Sequence, residues 1–170
     1  MNEFKDVFPR GEENTAYSKY FVGQSYLAPV SIDQVGIYNV TFEPGCRNNW
    51  HIHHADNGGG QILVCVAGRG YYQEWGKDAT LMKPGDCINI PAGVKHWHGA
   101  APDSWFSHLA IEVPGENGSN EWLEALDDEQ YGKLNRRSSF GSGRRTLWAL
   151  PRTERTWRDW CSTQFRTPIR

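Results

Sequence analysis

Five of the six histidines fall in two short clusters, and their spacing is the pattern in this chain that best fits metal or acid–base chemistry. In "WHIHHADNGGGQ", His51 and His53 are two residues apart, and in "KHWHG", His96 and His98 have the same spacing. Residues i and i+2 of a β-strand point to the same face, so each pair would share a face, with His54 on the opposite one. Two such pairs can converge, and neutral imidazoles bind divalent metals. The pattern predicts a metal site, with surface or core histidines without a metal as the alternative.

The segments around the two clusters have the pattern of short β-strands separated by turns. The strand-like stretches are "QVGIYNVTFEPG", "QILVCVAGRG", "CINIPAGVKHWHG" and "WFSHLAIEV", and "GYYQEWGKDATLMKPGD" is typical of a hairpin around Gly76. Short strands at this spacing predict an antiparallel sandwich or barrel. We expect one helix, within "NEWLEALDDEQYGKL".

The charge distribution indicates a boundary near Leu134. Residues 136–170 carry nine arginines and only two acidic residues, and lysine does not occur after Lys133. A chain of 170 residues otherwise suits one domain with a substantial core. Arginines interleaved with tryptophans can bind nucleic acid. We favour the interpretation that 135–170 is disordered or lies outside the family fold, and we expect no nucleic-acid partner.

Composition also bears on location and redox state. No apolar run approaches the ~20 residues that a membrane-spanning helix needs. The N-terminus, "MNEFKDVFPRGEENTAY", is acidic and contains proline, which is not typical of a signal peptide. The cysteines lack CxxC spacing and are interpreted as buried free thiols, with a disulfide as the alternative; they are Cys46, Cys65, Cys87 and Cys161. We therefore expect a cytoplasmic protein.

At the level of motifs, the two clusters resemble those of the cupins, small β-barrels in which two conserved motifs hold one metal. The first motif reads Gly45, "CRNNW", "HIH", a loop of seven residues, Gln61, "ILVCVA" and Gly68. The second reads "GDCINIPAGVKHWHGA", in which Gly85 begins the motif and Ala100 ends it. Three features depart from the family pattern: glutamine in place of glutamate, a longer loop before it, and alanine in place of the final asparagine. The resemblance implies a single-domain cupin, an all-β double-stranded β-helix or jelly-roll barrel with a short helix after the barrel.

The similarity is closer to one group of cupins. "VTFEPG", "KPGD", "KHWHGA" and "SHLAIE" resemble the small cupins related to carboxymuconolactone decarboxylase, which include bacterial manganese-dependent hydroxynitrile lyases. The resemblance covers 21–134, so 1–20 is interpreted as an N-terminal extension. It implies one divalent ion, with manganese favoured and iron, nickel or zinc as alternatives. The implied ligands are His51, His53, Gln61 and His96.

A glutamine ligand has chemical consequences. An amide oxygen is a neutral ligand, so three imidazoles and Gln61 would leave the full charge on the ion. A neutral ligand set favours Lewis-acid work over the stabilisation of higher oxidation states.

His98 and His108 are the candidate acid–base residues. His98 shares the direction of His96 and should line the cavity, and His108 could move a proton if it faces inward. The alternative for His108 is a structural hydrogen bond to the backbone. Arg47 could hold an anionic substrate at the rim or be a solvated loop residue. The expected packing residues are Trp50, Trp97 and Trp105.

Together these observations predict a metal-dependent small-molecule enzyme of the lyase or isomerase type, with hydroxynitrile-lyase-like activity implied by the resemblance. The alternative is a non-catalytic metal-containing cupin that binds or senses a ligand. The expected partners are a small-molecule substrate and a second copy of the chain. In such a homodimer, "YFVGQSYLAPV" could add a strand to the neighbour.

Overall fold

The strands form where the sequence alternates between inward and outward side chains. In Gln61–Gly68, buried and half-buried residues alternate over the whole strand. The computed structural model describes residues 4–138. In chain order, the strands are β1 (Glu12–Glu13), β2 (Phe21–Val22), β3 (Ser25–Ser31), β4 (Ile37–Phe42), β5 (Arg47–Asn48), β6 (His51–His54), β7 (Asn57–Gly58), β8 (Gln61–Gly68), β9 (Gly70–Glu74), β10 (Thr80–Met82), β11 (Cys87–Ile90), β12 (His96–Ala100), β13 (Phe106–Glu112), β14 (Gly115–Glu116) and β15 (Ser119–Trp122). A 3₁₀ helix spans Ser18–Tyr20, and helix α1 spans Asp128–Ser138.

Two antiparallel sheets form the body of the fold. The first has the strand order β1-β3-β4-β13-β8-β11. In the second, the order is β10-β9-β12-β5-β2, and β6 pairs with both β12 and β15. A core of apolar side chains lies inside, including the fully buried Phe42, Leu63 and Phe106. The predicted all-β jelly-roll class, with a short helix after the barrel, is confirmed.

The segment after the barrel differs from the sequence prediction. A helix was expected over 120–134, but Ser119–Trp122 is a strand that pairs along the whole length of β6. Helix α1 begins only at Asp128, where the Asp127 carboxylate accepts a hydrogen bond from the Gln130 backbone at 2.7 Å. Long-range pairing with β6 overrides the predicted helix at the beginning of this stretch.

Arg47 docks this segment against the second sheet. Its side chain is buried, and both Nε and Nη2 donate to the Leu126 carbonyl, at 3.3 and 3.2 Å. It also pairs with Asp128, and its guanidinium lies 4.4 Å from the centre of the Tyr131 ring. Both expectations for Arg47, a substrate-binding group at the rim and a solvated loop residue, are wrong. Its neighbour Asn48 takes the inward position on β5, because adjacent strand residues face opposite sides.

The N-terminal segment packs against the outer face of the first sheet. The Asp6 carboxylate accepts hydrogen bonds from Asn39 at 3.0 Å and Thr41 at 3.4 Å. Strand β3, which lies within the stretch expected to reach a neighbouring copy, pairs with β4 and β1 of its own chain. The homodimer and the addition of this stretch to a neighbour both stay predictions.

Several smaller expectations can be compared with the described residues. Cys46 and Cys65 are buried free thiols as predicted, whereas Cys87 is exposed because β11 is an edge strand of the first sheet. Trp50 and Trp97 are buried packing residues. No helix in the described range is long and apolar enough to cross a membrane. Cys161 and the arginine-rich tail from residue 139 onward lie outside the described residues.

Candidate metal centre and cavity

Strands β6 and β12 bring the two histidine pairs together inside the barrel. His51 and His96 are register partners, and their ring centres are 4.1 Å apart. His53 lies 5.2 Å from His51 and 5.4 Å from His96 by ring centres. All three side chains are buried. His54 has the opposite direction, is exposed, and pairs with Glu121 at 2.7 Å, in agreement with its predicted surface position.

Each of these three rings is oriented by a carbonyl-type acceptor. The Nδ1 atoms of His51 and His96 lie 3.0 Å from the Asn49 carbonyl and 2.9 Å from the Val94 carbonyl. His53 Nδ1 lies 2.7 Å from the side-chain oxygen of Asn120 on β15. Because these oxygens only accept, each Nδ1 must carry the proton, which leaves the Nε2 lone pair free. This is the arrangement in which an outer acceptor prepares a metal-binding imidazole.

Three buried side-chain atoms of the kinds that bind metal ions lack a hydrogen-bonding partner, and they mark the centre of the histidine cluster. His53 Nε2, His96 Nε2 and Gln61 Oε1 are buried and have no hydrogen-bonding partner among the described residues. Gln61 lies close enough to raise the pKa of His53, although the two side chains make no hydrogen bond of ordinary geometry. Buried polar atoms are rarely left unsatisfied, because desolvation without a partner costs about 1–3 kcal/mol each. A metal ion would satisfy all three atoms, so these residues fit the implied cofactor.

The protonation state also fits metal binding. Burial is the main cause that lowers the pKa of His51, His53 and His96, and the pKa of His96 falls to about 4. The neighbouring histidines lower the pKa of His51 further, because positive charges would repel one another. The rings are therefore neutral at pH 7, which is the form that binds divalent ions.

His98 belongs to the same buried group but has different partners. One ligand nitrogen each of His51, His96 and His98 lies within 4.8 Å of the other two, so these three histidines form a group that could hold a metal ion. In this group His98 takes the place for which the sequence had favoured His53. However, Asn48 holds His98: its side-chain oxygen accepts from the His98 backbone N–H at 2.9 Å. The Asn48 side-chain nitrogen lies 3.1 Å from His98 Nε2. His98 Nδ1 lies 3.1 Å from His108 Nε2, so both of its ring nitrogens have protein partners.

His108 lies behind His98. It is fully buried between the Phe42 and Phe106 rings, and burial lowers its pKa to about 4. It faces inward from β13 as the sequence suggested, but it is not among the residues that line the cavity, whereas His98 is. His108 can therefore influence the cavity only through His98.

His51, His53 and His98 open into a cavity of about 180 Å³ whose lining includes four large aromatic side chains. The described residues lining it include no lysine or arginine, and Glu112 is the one acidic side chain among them. His51 forms part of the wall and stacks on Trp122 with ring centres 4.7 Å apart. The apolar and aromatic lining residues are Tyr17, Phe21, Leu27, Tyr38, Val40, Ala110 and Trp122.

Comparison with known proteins agrees with this architecture. The family model for the cupin domain matches residues 38–109. The (R)-mandelonitrile lyase of Granulicella tundricola is 43% identical over 93 residues, which are 55% of this chain and 68% of that protein. The chain is a cupin. The crystal structure of a cupin-like protein from Thermotoga maritima covers 76% of this cupin and 96% of its own chain, with a TM-score of 0.66 and 39% identity. DMSP lyase DddQ from Ruegeria pomeroyi shares the fold at 18% identity, with a TM-score of 0.50 over 74% of this chain and 63% of its own.

The loop that distinguishes this cupin from the family pattern forms a second cavity. Residues Asn57–Gly58 pair with Gly115–Glu116 in a two-stranded ribbon. Next to it lies a polar cavity of about 200 Å³, which shares His53, Glu112 and Asn120 with the first. The longer loop therefore reaches the outer side of the histidine cluster.

Among the residues that line the cavity, sequence reasoning named only His51, His53, Gln61 and His98, and it assigned four others of this cupin to segments that were not expected to reach the cavity. Asn120 and Trp122 were placed on a helix, and Asn14 and Tyr17 were placed in an N-terminal extension. The stretch "SNEW" has three polar residues before its tryptophan and shows no alternation, and four residues are too few to separate a strand from a helix start. Nothing in the local sequence indicated that 14–17 would reach the cavity.

Proposed function

We propose that this cupin is a metal-dependent lyase that cleaves an uncharged aromatic hydroxynitrile to an aldehyde and hydrogen cyanide. The observation that carries the proposal is the set of three buried, unpartnered ligand atoms on His53, Gln61 and His96 beside an aromatic cavity. The similarity to a (R)-mandelonitrile lyase supports the reaction class.

The proposed ligands are those expected from the sequence: His51, His53, Gln61 and His96. Each histidine offers Nε2 because its Nδ1 is engaged by an oxygen acceptor. Manganese is the proposed ion because the resemblance to the manganese-dependent hydroxynitrile lyases implies it and because the amide oxygen of Gln61 is a ligand type that suits this ion, whereas the three imidazoles would equally suit iron, nickel or zinc. A divalent ion held there would supply Lewis-acid polarisation of a substrate oxygen.

The substrate class follows from the cavity walls. Aromatic side chains from three segments, Tyr17, Tyr38 and Trp122, offer flat apolar surfaces for a ring. Among the described residues that line the cavity there is no lysine or arginine to pair with a carboxylate, and Glu112 would repel one. An uncharged ring compound fits these walls better than a keto acid or a uronate.

His98 is the proposed acid–base residue, and His108 is the proposed positioning residue. His98 lines the cavity, and its Nε2 takes the proton of the substrate hydroxyl in place of the contact with Asn48 Nδ2 while the carbon–carbon bond to the nitrile breaks. The bonding pair leaves with cyanide, the carbonyl double bond forms, and the proton returns from the imidazole to cyanide. The Asn48 side-chain oxygen, which accepts from the His98 backbone N–H, and His108, beside His98 Nδ1, hold the residue in place during this transfer.

The test measures turnover of mandelonitrile by protein with and without manganese. We expect His98→Ala to lower kcat by about 10²–10⁴-fold with the manganese content unchanged, because loss of an acid–base group has that effect. We expect a smaller loss for His108→Ala, mainly in kcat, since the ring acts through His98. Elemental analysis of each variant separates loss of metal from loss of proton transfer.

Two results would contradict the proposal. Full activity of His98→Ala would exclude its acid–base role. Absence of turnover by the manganese-loaded protein, combined with tight binding of ring compounds, would favour a cupin that binds or senses a ligand without catalysis. Under that alternative the same cavity binds its ligand, and His98 contributes only to affinity.

A further inference from the structure

Residues 15–19 form an exposed turn between two anchored points of the N-terminal segment. Before the turn, the buried Asn14 donates its backbone N–H to the Ser25 carbonyl at 2.9 Å. After it, the Tyr20 carbonyl accepts a hydrogen bond from the Asn49 backbone N–H at 2.8 Å, and strand β2, which follows at once, pairs with β5. Both ends of the turn are therefore fixed to the barrel.

Tyr17 is the member of this turn that reaches the cavity. The other members of the turn do not line it: Thr15, Ala16, Ser18 and Lys19. Tyr17 is also 44% exposed, and a residue that both lines a cavity and faces solvent lies at its mouth. Its ring packs at a tilt against Trp122, with ring centres 6.3 Å apart. The turn thus places one aromatic ring at the opening of the cavity.

The rest of the wall is built from the barrel itself. Among the described residues that line the cavity, all except Asn14 and Tyr17 lie on paired strands. Asn14 is buried and hydrogen-bonded to Ser25 through its side chain as well, at 3.3 Å. Tyr17 is therefore the part of the lining that the sheets do not hold, and it sets the extent of the cavity towards solvent.

The volume behind Tyr17 suits one aromatic ring. The cavity measures about 180 Å³, and a cavity of about 150 Å³ is enough to hold benzene. A single ring with a short substituent fills such a space. A fused second ring would have to displace the Tyr17 side chain from Trp122 or remain in water, and either outcome lowers affinity.

We propose that Tyr17 is a specificity-determining residue that limits the ligand to a single aromatic ring. The inference rests on the proposed function, whose substrate is an aromatic compound, and narrows that substrate by size. In an apolar pocket even one methylene group changes affinity by about tenfold or more, so a whole ring at a closed mouth should be rejected at least as strongly.

The test is calorimetric titration of the manganese-loaded protein with benzyl alcohol and 2-naphthalenemethanol. These ligands carry the same alcohol, differ by one fused ring, and cannot be cleaved. We expect the wild type to bind benzyl alcohol about tenfold more tightly. Tyr17→Ala removes a ring from the mouth and should let 2-naphthalenemethanol bind at least as tightly as benzyl alcohol. Tyr17→Phe keeps the ring and should retain the wild-type preference.

Tyr26→Ala is the matched control. Tyr26 also packs against a tryptophan, with ring centres 6.2 Å from Trp105, but it does not line the cavity. Its replacement should leave the preference for benzyl alcohol intact. The inference is overturned if the wild type binds the two alcohols equally well, if it binds neither, if the preference survives Tyr17→Ala, or if Tyr26→Ala abolishes it.

Lyase activity is a separate outcome of the same set of variants. A size preference that depends on Tyr17, without turnover of mandelonitrile, would refute the proposed reaction and leave the role of Tyr17 standing. Turnover of mandelonitrile by a protein that binds both alcohols equally well would refute the role of Tyr17 and leave the proposed reaction standing.

Discussion

The hydrogen bond between Asn120 and His53 should control metal affinity. Asn120 Oδ1 lies 2.7 Å from His53 Nδ1 and keeps the proton on that nitrogen, so that Nε2 can bind the ion. In Asn120→Ala the Nδ1–H loses its acceptor, and the ring loses the contact that sets its tautomer and orientation. Loss of such an outer partner weakens metal binding about 10–100-fold, which corresponds to about 1.4–2.7 kcal/mol.

The structure places the expected value near the lower end of that range. Asn120 borders both cavities, so removal of its side chain opens a route by which water can reach His53 Nδ1. Water would replace part of the lost hydrogen bond. We therefore expect a loss of about tenfold in manganese affinity for Asn120→Ala. Asn120→Asp keeps an acceptor and should retain the wild-type affinity or exceed it.

The assay is calorimetric titration of metal-free protein with manganese, and the chain supplies a matched control. On the same pair of strands, His54 and Glu121 form an analogous contact that faces outward, also at 2.7 Å. Glu121→Gln should leave manganese affinity unchanged. If Asn120→Ala bound manganese as tightly as wild type, or if Glu121→Gln lost as much affinity, the assignment of His53 as an oriented ligand would be wrong.

The other predictions concern the ligands, the docking of the C-terminal segment and the pH dependence of stability. His96→Ala should abolish manganese retention in equilibrium dialysis, whereas Gln61→Ala should only weaken it because a neutral amide is the weakest ligand; equal losses would contradict this order. Arg47→Met should lower the free energy of unfolding in urea by about 2 kcal/mol, since the buried Leu126 carbonyl loses a charged donor; manganese affinity should not change. Burial lowers the pKa of His108 to about 4, so the metal-free fold should lose stability as pH falls from 6.5 towards 4. His108→Gln should remove about 2 kcal/mol of that loss at pH 5, and an unchanged pH profile would refute it.

Much of the histidine cluster could be predicted from local spacing. The i, i+2 rule places His51 with His53, and His96 with His98, on common faces without any knowledge of the fold. The turn residues and short apolar runs likewise indicate an antiparallel barrel. These inferences succeed because strand alternation is a property of neighbouring residues and does not depend on what the strand pairs with.

The pairing between strands that are distant in the chain could not be predicted from the local sequence. Asn120 and His53 are 67 residues apart, and they meet only because β15 pairs with β6. The same pairing decided that residues 119–122 form a strand, where local propensity had favoured a helix. Arg47 was expected either at the rim or in a solvated loop, whereas the alternation of a two-residue strand turns it away from the cavity and buries it.

The sequence by itself determined the class of fold and most of the candidate metal ligands, since both depend on residue types at short, fixed spacings. Only the tertiary structure decided that His108 lies behind His98 and outside the cavity lining, and that the N-terminal segment brings Asn14 to the wall. Those outcomes depend on packing between segments distant in the chain. Packing of that kind is governed by the shape and burial of all the partners together, which no single stretch of sequence contains.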